Sequence, residues 1–199
     1  MLSGSIYHLF NHANGRENLF TEQKNYVFFL ERLSQHVLPI AHIYAYCLMP
    51  NHFHLLLKIR KKNLLQGYYR QKKEKQLAMQ SGISVEIPQL ILQEEELVKQ
   101  VSKSFSNMFN SYTQAFNKMY NRMGSLFMQN MKREEVFDEE SFFRLVYYIH
   151  NNPVRHRFVK KPDAWPHSSY KIFLSDKSTK LERDYVLKAF GGADKFIAY

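Results

Sequence analysis

Met49-Pro50-Asn51-His52-Phe53-His54-Leu55-Leu56-Leu57 is the stretch on which the reading of the fold turns. In an extended strand successive side chains alternate faces, so His52 and His54 project from one side while Phe53, Leu55 and Leu57 project from the other. One face can be ordinary core. The other then carries two imidazoles side by side, the beginning of a metal site. The chain has 9 His, so a single His-x-His is weak support until other residues join it. Immediately upstream, residues 41–49 also read as a strand, and Pro50-Asn51 makes a tight connection. Strands at 41–49 and 52–59 are therefore predicted to pair as a hairpin, with Pro50 also compatible with a bulge.

Working outward, Ser5 to His12 reads as a first strand, ended by Asn14-Gly15. Thr21 is placed to cap a helix over 22–38, with Tyr26, Phe29, Leu30, Leu33 and Val37 at helical spacing and Pro39 closing it. Residues 61–100 are basic and Gln-rich (Lys61, Lys62, Arg70, Lys72, Lys73, Lys75) and are broken at Ser81-Gly82-Ile83-Ser84. They read as a helix and loop inserted after the third strand. A long helix is predicted over 94–121, with Val98, Val101, Phe105, Met108, Phe109, Tyr112 and Phe116 on its apolar face and Gly124 ending it. A fourth strand lies within 126–137. Asp138 then caps a helix over 139–152, and Pro153 puts Asn152 at that helix's end. The order β-α-β-β-α-β-α predicts an α+β fold: a ferredoxin-like, four-stranded antiparallel sheet with helices on one face, plus the inserted helix and a C-terminal helical extension. We divide the chain into a domain at 1–152, carrying the insertion at about 61–100, and a basic extension at 153–199 with a helix near 181–190.

Lys+Arg 28 against Asp+Glu 18 gives a net charge of +10, which points to a polyanionic partner, because neutralising phosphates releases counterions. The single Cys47 rules out an internal disulfide framework and fits a reducing cytoplasm. No apolar run is long enough to cross a bilayer and no signal pattern opens the chain, so no membrane partner is expected. The 16 Phe and 13 Tyr suit stacking on single-stranded bases, although most must serve the core. There is no Gly-rich phosphate loop, no Cys cluster for zinc and no Ser-His-Asp arrangement.

The second informative segment is Phe142-Phe143-Arg144-Leu145-Val146-Tyr147-Tyr148-Ile149-His150-Asn151-Asn152-Pro153. On a helix, residues four apart share a face, so Tyr148 and Asn152 are neighbours, with Arg144 one turn earlier. Phe142, Leu145, Val146 and Ile149 make the adjoining stripe that docks on the sheet. A Tyr at the margin of such a stripe is usually structural. Read together with the first segment, however, this one resembles the HUH single-tyrosine transposases and, within them, the REP-associated tyrosine transposases. The carrying motifs are Met49 to Leu56, Tyr148-Ile149-His150-Asn151-Asn152-Pro153-Val154-Arg155, and Gly124-Ser125-Leu126-Phe127 between them. The resemblance covers roughly residues 4–170 and is weaker over 63–100.

That resemblance implies His52, His54 and Asn152 as ligands of a divalent metal, Mg²⁺ or Mn²⁺, and Tyr148 rather than Tyr147 as nucleophile. Asn152 stands where some relatives have Gln. It also implies attack on a single-stranded DNA phosphodiester to give a 5′-phosphotyrosine and a free 3′-hydroxyl, on DNA with hairpin or palindromic ends. A phenol titrates near ~10 and needs a cation or basic groups beside it to act at neutral pH. Relatives act as homodimers. Lys132 and Arg133 before the helix, and Arg155, Arg157 and Lys160 after it, would flank the scissile phosphate and position DNA. The competing reading is a non-catalytic or domesticated nucleic-acid-binding module of the same fold. His8, His12, His42 and His150 receive no role.

Overall fold

The computed structural model describes residues 1–199. Four strands, β1 (Ile6–His12), β2 (Ala41–Met49), β3 (His52–Ile59) and β4 (Lys132–Val136), form one antiparallel sheet in the order β2-β3-β1-β4. This is the ferredoxin-like order, reached through the β2–β3 hairpin, whose register pairs Met49 with His52 across Pro50-Asn51. The β2–β3 irregularity lies not at Pro50 but between Ile43 and Ala45.

Strand alternation gives the sheet two unlike faces. Tyr7, Leu9, Phe53, Leu55, Leu57 and Leu48 belong to a core of 29 buried residues shared with α1 (Gln23–His36) and α3 (Glu94–Met119). Ala45, Cys47, Met49 and Leu56 belong to a separate cluster of 11, shared with α4 (Glu139–Arg155) and the C-terminal helices. The expected one-sided packing thus describes α1 and α3, and α4 covers part of the opposite face. The larger core lies away from the His pair, so most of the stabilising burial is independent of the face that carries the site.

Several local devices differ from expectation. The N-cap of α1 is Glu22, not Thr21. The Asn25 side chain at the third helical position accepts from Thr21 N, Thr21 Oγ1 and Glu22 N, each at 2.9 Å, and so performs the capping. In α3 the buried stripe uses Leu97 in place of Val98, and the helix ends at Met119, with Asn121 at φ 48 taking the left-handed position ahead of Gly124. Helix α4 is capped by Asp138, whose carboxylate accepts from Ser141 N at 2.7 Å. It runs through Pro153 to Arg155 instead of stopping at Asn152, because a proline in the last turn removes one bond and the ladder closes again at His156 N to Asn152 O.

The insertion after β3 is a 20-residue helix, α2 (Lys62–Ser81), with only Leu65 and Tyr69 buried and Gly82 in the left-handed conformation at its end. The expected boundary after 152 falls inside α4. The residues beyond it, with α5 (Tyr170–Phe173), α6 (Arg183–Phe190) and α7 (Ala193–Ala198), share one cluster with α4 through Phe173, Val186 and Phe196. They also run along the free edge of β2: Leu48 N donates to His167 O, Ser169 N to Tyr46 O and Trp165 Nε1 to Leu48 O. An edge strand left bare is a template for unwanted pairing, and this segment covers it. No helix is long and apolar enough to cross a membrane.

Candidate active site

Strand parity places His52 and His54 on the face that also carries His8, Phe10 and His12 of β1, since His54 pairs with Phe10 and His52 with His12. Helix α4 lies over this face and brings Asn152 between the two imidazoles. His52 Nε2 is 3.0 Å from Asn152 Oδ1, and Asn152 Nδ2 is 3.3 Å from His54 Nε2. All three side chains are buried. Tyr148, one turn earlier and half-buried, sets its ring edge-on to His54 with centroids 5.3 Å apart. The Arg155 guanidinium lies over that ring at 5.1 Å. Tyr147 points outward, exposed, beside Tyr199. The two adjacent tyrosines are thus separated by geometry, and only the second faces the imidazoles.

The protons in this network can be placed by following donors and acceptors. Glu134 of β4 lies 3.7 Å from His8 Nδ1, within ion-pair reach, and favours a proton there. His8 Nε2 is then an acceptor, 3.0 Å from His54 Nδ1, which must donate. That leaves His54 Nε2 bare, accepting from Asn152 Nδ2. On the other side, His52 Nδ1 is held by the Asn51 side-chain amide at 2.8 Å, which leaves His52 Nε2 to Asn152. That contact, at 3.0 Å to Asn152 Oδ1, is a hydrogen bond when Nε2 carries the proton and a pair of donors for a cation when it does not. Burial holds His52 down at about 4, outweighing the upward push of Asn152, and pulls His54 lower still, helped by the neighbouring imidazoles. Both rings are therefore neutral at pH 7, and each carries one proton and one lone pair.

The donor set fits a cation. Two imidazole nitrogens and an amide oxygen converge, and each imidazole is oriented through its other nitrogen by an outer partner, Asn51 for His52 and His8 for His54. No three His, Cys, Asp or Glu side chains converge to hold an ion; the third donor here is the Asn152 amide. Three neutral ligands favour oxygen-rich completion by phosphate or water, which suits Mg²⁺ or Mn²⁺.

The basic residues separate. Arg155 joins the site. Lys132 is exposed on the same face, paired with Phe10. Arg133 faces the other way, lining a polar cleft with Asn11, Phe109 and Asn130, because adjacent strand residues cannot share a face. Lys132 and Arg133 therefore do not flank one site together. Arg157 and Lys160 are exposed beyond α4 without an ion-pair partner, and Arg144 is paired with Glu140 on the outer surface at 3.3 Å. Sequence reasoning missed His8, Asn51 and Glu134. The shared parity of His8 and His12 was the available signal, but only the β1–β3 register identifies His8 as the partner of His54.

Among solved structures, a REP-associated tyrosine transposase bound to a REP hairpin is similar to this chain, with a TM-score of 0.52 and 16% identity over 88% of this chain and 82% of that one. This chain has the fold of that transposase. At such identity the likeness speaks for the fold alone. A sequence profile described as importin repeat 6 matches residues 39–133, less than half of the chain. That span takes β2 and β3 without β1, cutting the sheet through its middle, and corresponds to no structural unit here. The chain has no significant match among curated proteins.

Proposed function

We propose that this chain is a metal-dependent enzyme that nicks and rejoins single-stranded DNA, with Tyr148 as the nucleophile and His52, His54 and Asn152 holding the divalent cation. The observation that carries the reading is the convergence of two imidazole nitrogens on one amide, with the Tyr148 ring against His54 and Arg155 over that ring. What a bound Mg²⁺ or Mn²⁺ supplies is neutralisation and orientation of the scissile phosphate. Arg155, over the Tyr148 ring, draws the phosphate towards Tyr148. Tyr148 Oη attacks phosphorus: the bond to tyrosine forms as the bond to the 3′ oxygen breaks. The phenol loses a proton and the departing oxygen gains one, leaving a 5′-phosphotyrosine and a 3′-hydroxyl. The ester keeps the energy of the bond broken, so a hydroxyl can reverse the step and join strands without ATP.

The transposase of similar fold was solved bound to a DNA hairpin. We extend that to this chain as single-stranded DNA with hairpin or palindromic ends, bound by a homodimer in the cytoplasm. Lys132, Arg155, Arg157 and Lys160 are the proposed phosphate contacts on the site's side. The test uses labelled single-stranded oligonucleotides flanked by hairpins, incubated with Mn²⁺ and the wild type, Tyr147→Phe and Tyr148→Phe. Wild type and Tyr147→Phe should give a denaturation-resistant DNA adduct and Tyr148→Phe none. Equal adduct from all three overturns the assignment of Tyr148. DNA binding without adduct, insensitive to His52→Ala and His54→Ala, replaces it with the non-catalytic module.

A further inference from the structure

A second polar cleft lies on the other side of the sheet, where α2 leaves α3. The two helices are pinned by Tyr69, whose hydroxyl meets Ser104 Oγ at 3.3 Å in the core. Beyond that pin they enclose about 490 Å³, lined by Lys72, Lys73 and Gln76 from α2 and by Gln100, Lys103 and Asn107 from α3. Leu90 and Leu92 of the intervening loop form a wall. That wall is fastened from the neighbouring flank of α2: Gln66 Nε2 donates to Leu92 O at 3.3 Å, Arg70 Nη1 to Pro88 O at 3.1 Å, and Glu74 Oε1 accepts from Ile87 N at 2.9 Å. One stripe of α2 thus builds the cleft and the next one lines it.

The lining carries three ammonium groups and three amides and no carboxylate. Three acids of the flanking helices, Glu74, Glu94 and Glu96, are engaged elsewhere. Glu74 serves Arg70 and Ile87 N, Glu94 accepts from Ser3 N and Oγ, and Glu96 accepts from Gln93 N. None of Lys72, Lys73 and Lys103 has an ion-pair partner. On α1, His36 is held below its ordinary range by burial and then by the positive charges of Arg32 and Lys72. Like charges gathered in a concave place repel one another, and an anion relieves this.

We propose that the α2–α3 cleft binds the phosphate backbone of a nucleic acid through Lys72, Lys73 and Lys103, with Gln76, Gln100 and Asn107 as amide donors. Ammonium groups act on phosphate as point charges, so this contact adds affinity without reading sequence. It sits on the helical side of the sheet that carries α1 and α3, opposite His52 and His54, and does not depend on the Tyr148 chemistry.

The experiment compares the full chain with the Lys72→Gln/Lys73→Gln/Lys103→Gln variant and, separately, with Arg155→Gln/Arg157→Gln/Lys160→Gln. Each binds a labelled DNA hairpin with single-stranded flanks over a range of KCl concentrations. The lysine variant should flatten the slope of log K against log salt by about two to three units, at roughly 0.7 to 0.9 per lost phosphate contact. All three Lys are exposed, so its melting temperature should equal or exceed the wild type's. Conservative Lys→Arg replacements should restore the slope. A slope that only the Arg155 set changes overturns the cleft and leaves the active-site reading intact. Loss of stabilisation by inorganic phosphate with an unchanged DNA slope makes the cleft a free-anion site and overturns it too.

Discussion

Replacing His8 with Phe tests the orientation of the whole donor set. His8 Nε2 lies 3.0 Å from His54 Nδ1, and both rings are buried. That contact is the only one His54 Nδ1 makes, so it keeps the His54 proton on Nδ1 and the lone pair on Nε2, towards Asn152. Phe occupies the ring's space beside Phe10, which stacks on His8 with centroids 4.9 Å apart, but it accepts no hydrogen bond. His54 then gains by moving its proton to Nε2, where the Asn152 amide can turn its oxygen to accept it. That tautomer has no lone pair for a cation. Loss of such an outer partner lowers metal affinity by about 10–100-fold, or ~1.4–2.8 kcal/mol at about 1.4 kcal/mol per factor of ten. Because the tautomer change recovers a hydrogen bond, the cost to the metal-free fold should stay near ~1 kcal/mol. The assay pairs ¹⁵N NMR of the imidazole nitrogens in the metal-free proteins with a titration of free Mn²⁺ by electron paramagnetic resonance. The wild type should show His54 protonated at Nδ1. The variant should show Nε2 protonation and weaker Mn²⁺ binding. A wild-type His54 carrying its proton on Nε2, or equal Mn²⁺ affinity in the two proteins, refutes the relay.

Ser169→Ala should cost about 1–3 kcal/mol in chemical denaturation, because the buried Ser169 Oγ serves His150 Nε2 at 2.7 Å and Tyr46 N at 2.9 Å and its loss strands both, while Tyr46 O keeps the Ser169 backbone N–H; a change below ~0.5 kcal/mol contradicts this network. Burial holds His150 at about 3 against an ordinary value of 6.5, so the unfolded chain takes up the proton first. Its contribution is therefore fully present above pH 6.5 and is lost as pH falls towards 3, at up to about 1.4 kcal/mol per pH unit. His150→Phe should flatten the pH dependence of stability in that window, and an unchanged profile would show that His150 does not carry it.

The β2–β3 hairpin was legible to the residue because period-two alternation and Pro50-Asn51 are purely local signals. The same is true of Tyr148 and Asn152, whose offset of four is a property of one helix. What escaped depends on more than one segment or on competing local bonds. Thr21 is a good capping residue, but the Asn25 amide reaches back and takes the backbone donors instead. Pro153 reads as a stop, and α4 passes it because its last turn loses only one bond there. His8 is tied to His54 by the register of strands 46 residues apart in sequence, which no spacing rule within either strand supplies. Lys132 and Arg133 read as one basic pair, yet strand alternation sends them to opposite faces. That correction was available from parity alone once β4 was located.

The unequal faces of the sheet explain how this chain tolerates so unfavourable a cluster. His8, His52, His54 and Asn152 are all at most 4% exposed, and burying a polar group without a partner costs about 1–3 kcal/mol. His8 Nδ1 has no partner within hydrogen-bond reach. Such a set is a poor way to stabilise a fold. It persists because the 29-residue core on the opposite face holds β1 and β3 in register without help from it. Two rigid strands and one docked helix then fix the donors at a spacing they would not choose for themselves. On the proposed reading, that rigidity is what presents the two imidazoles and the amide together to a cation.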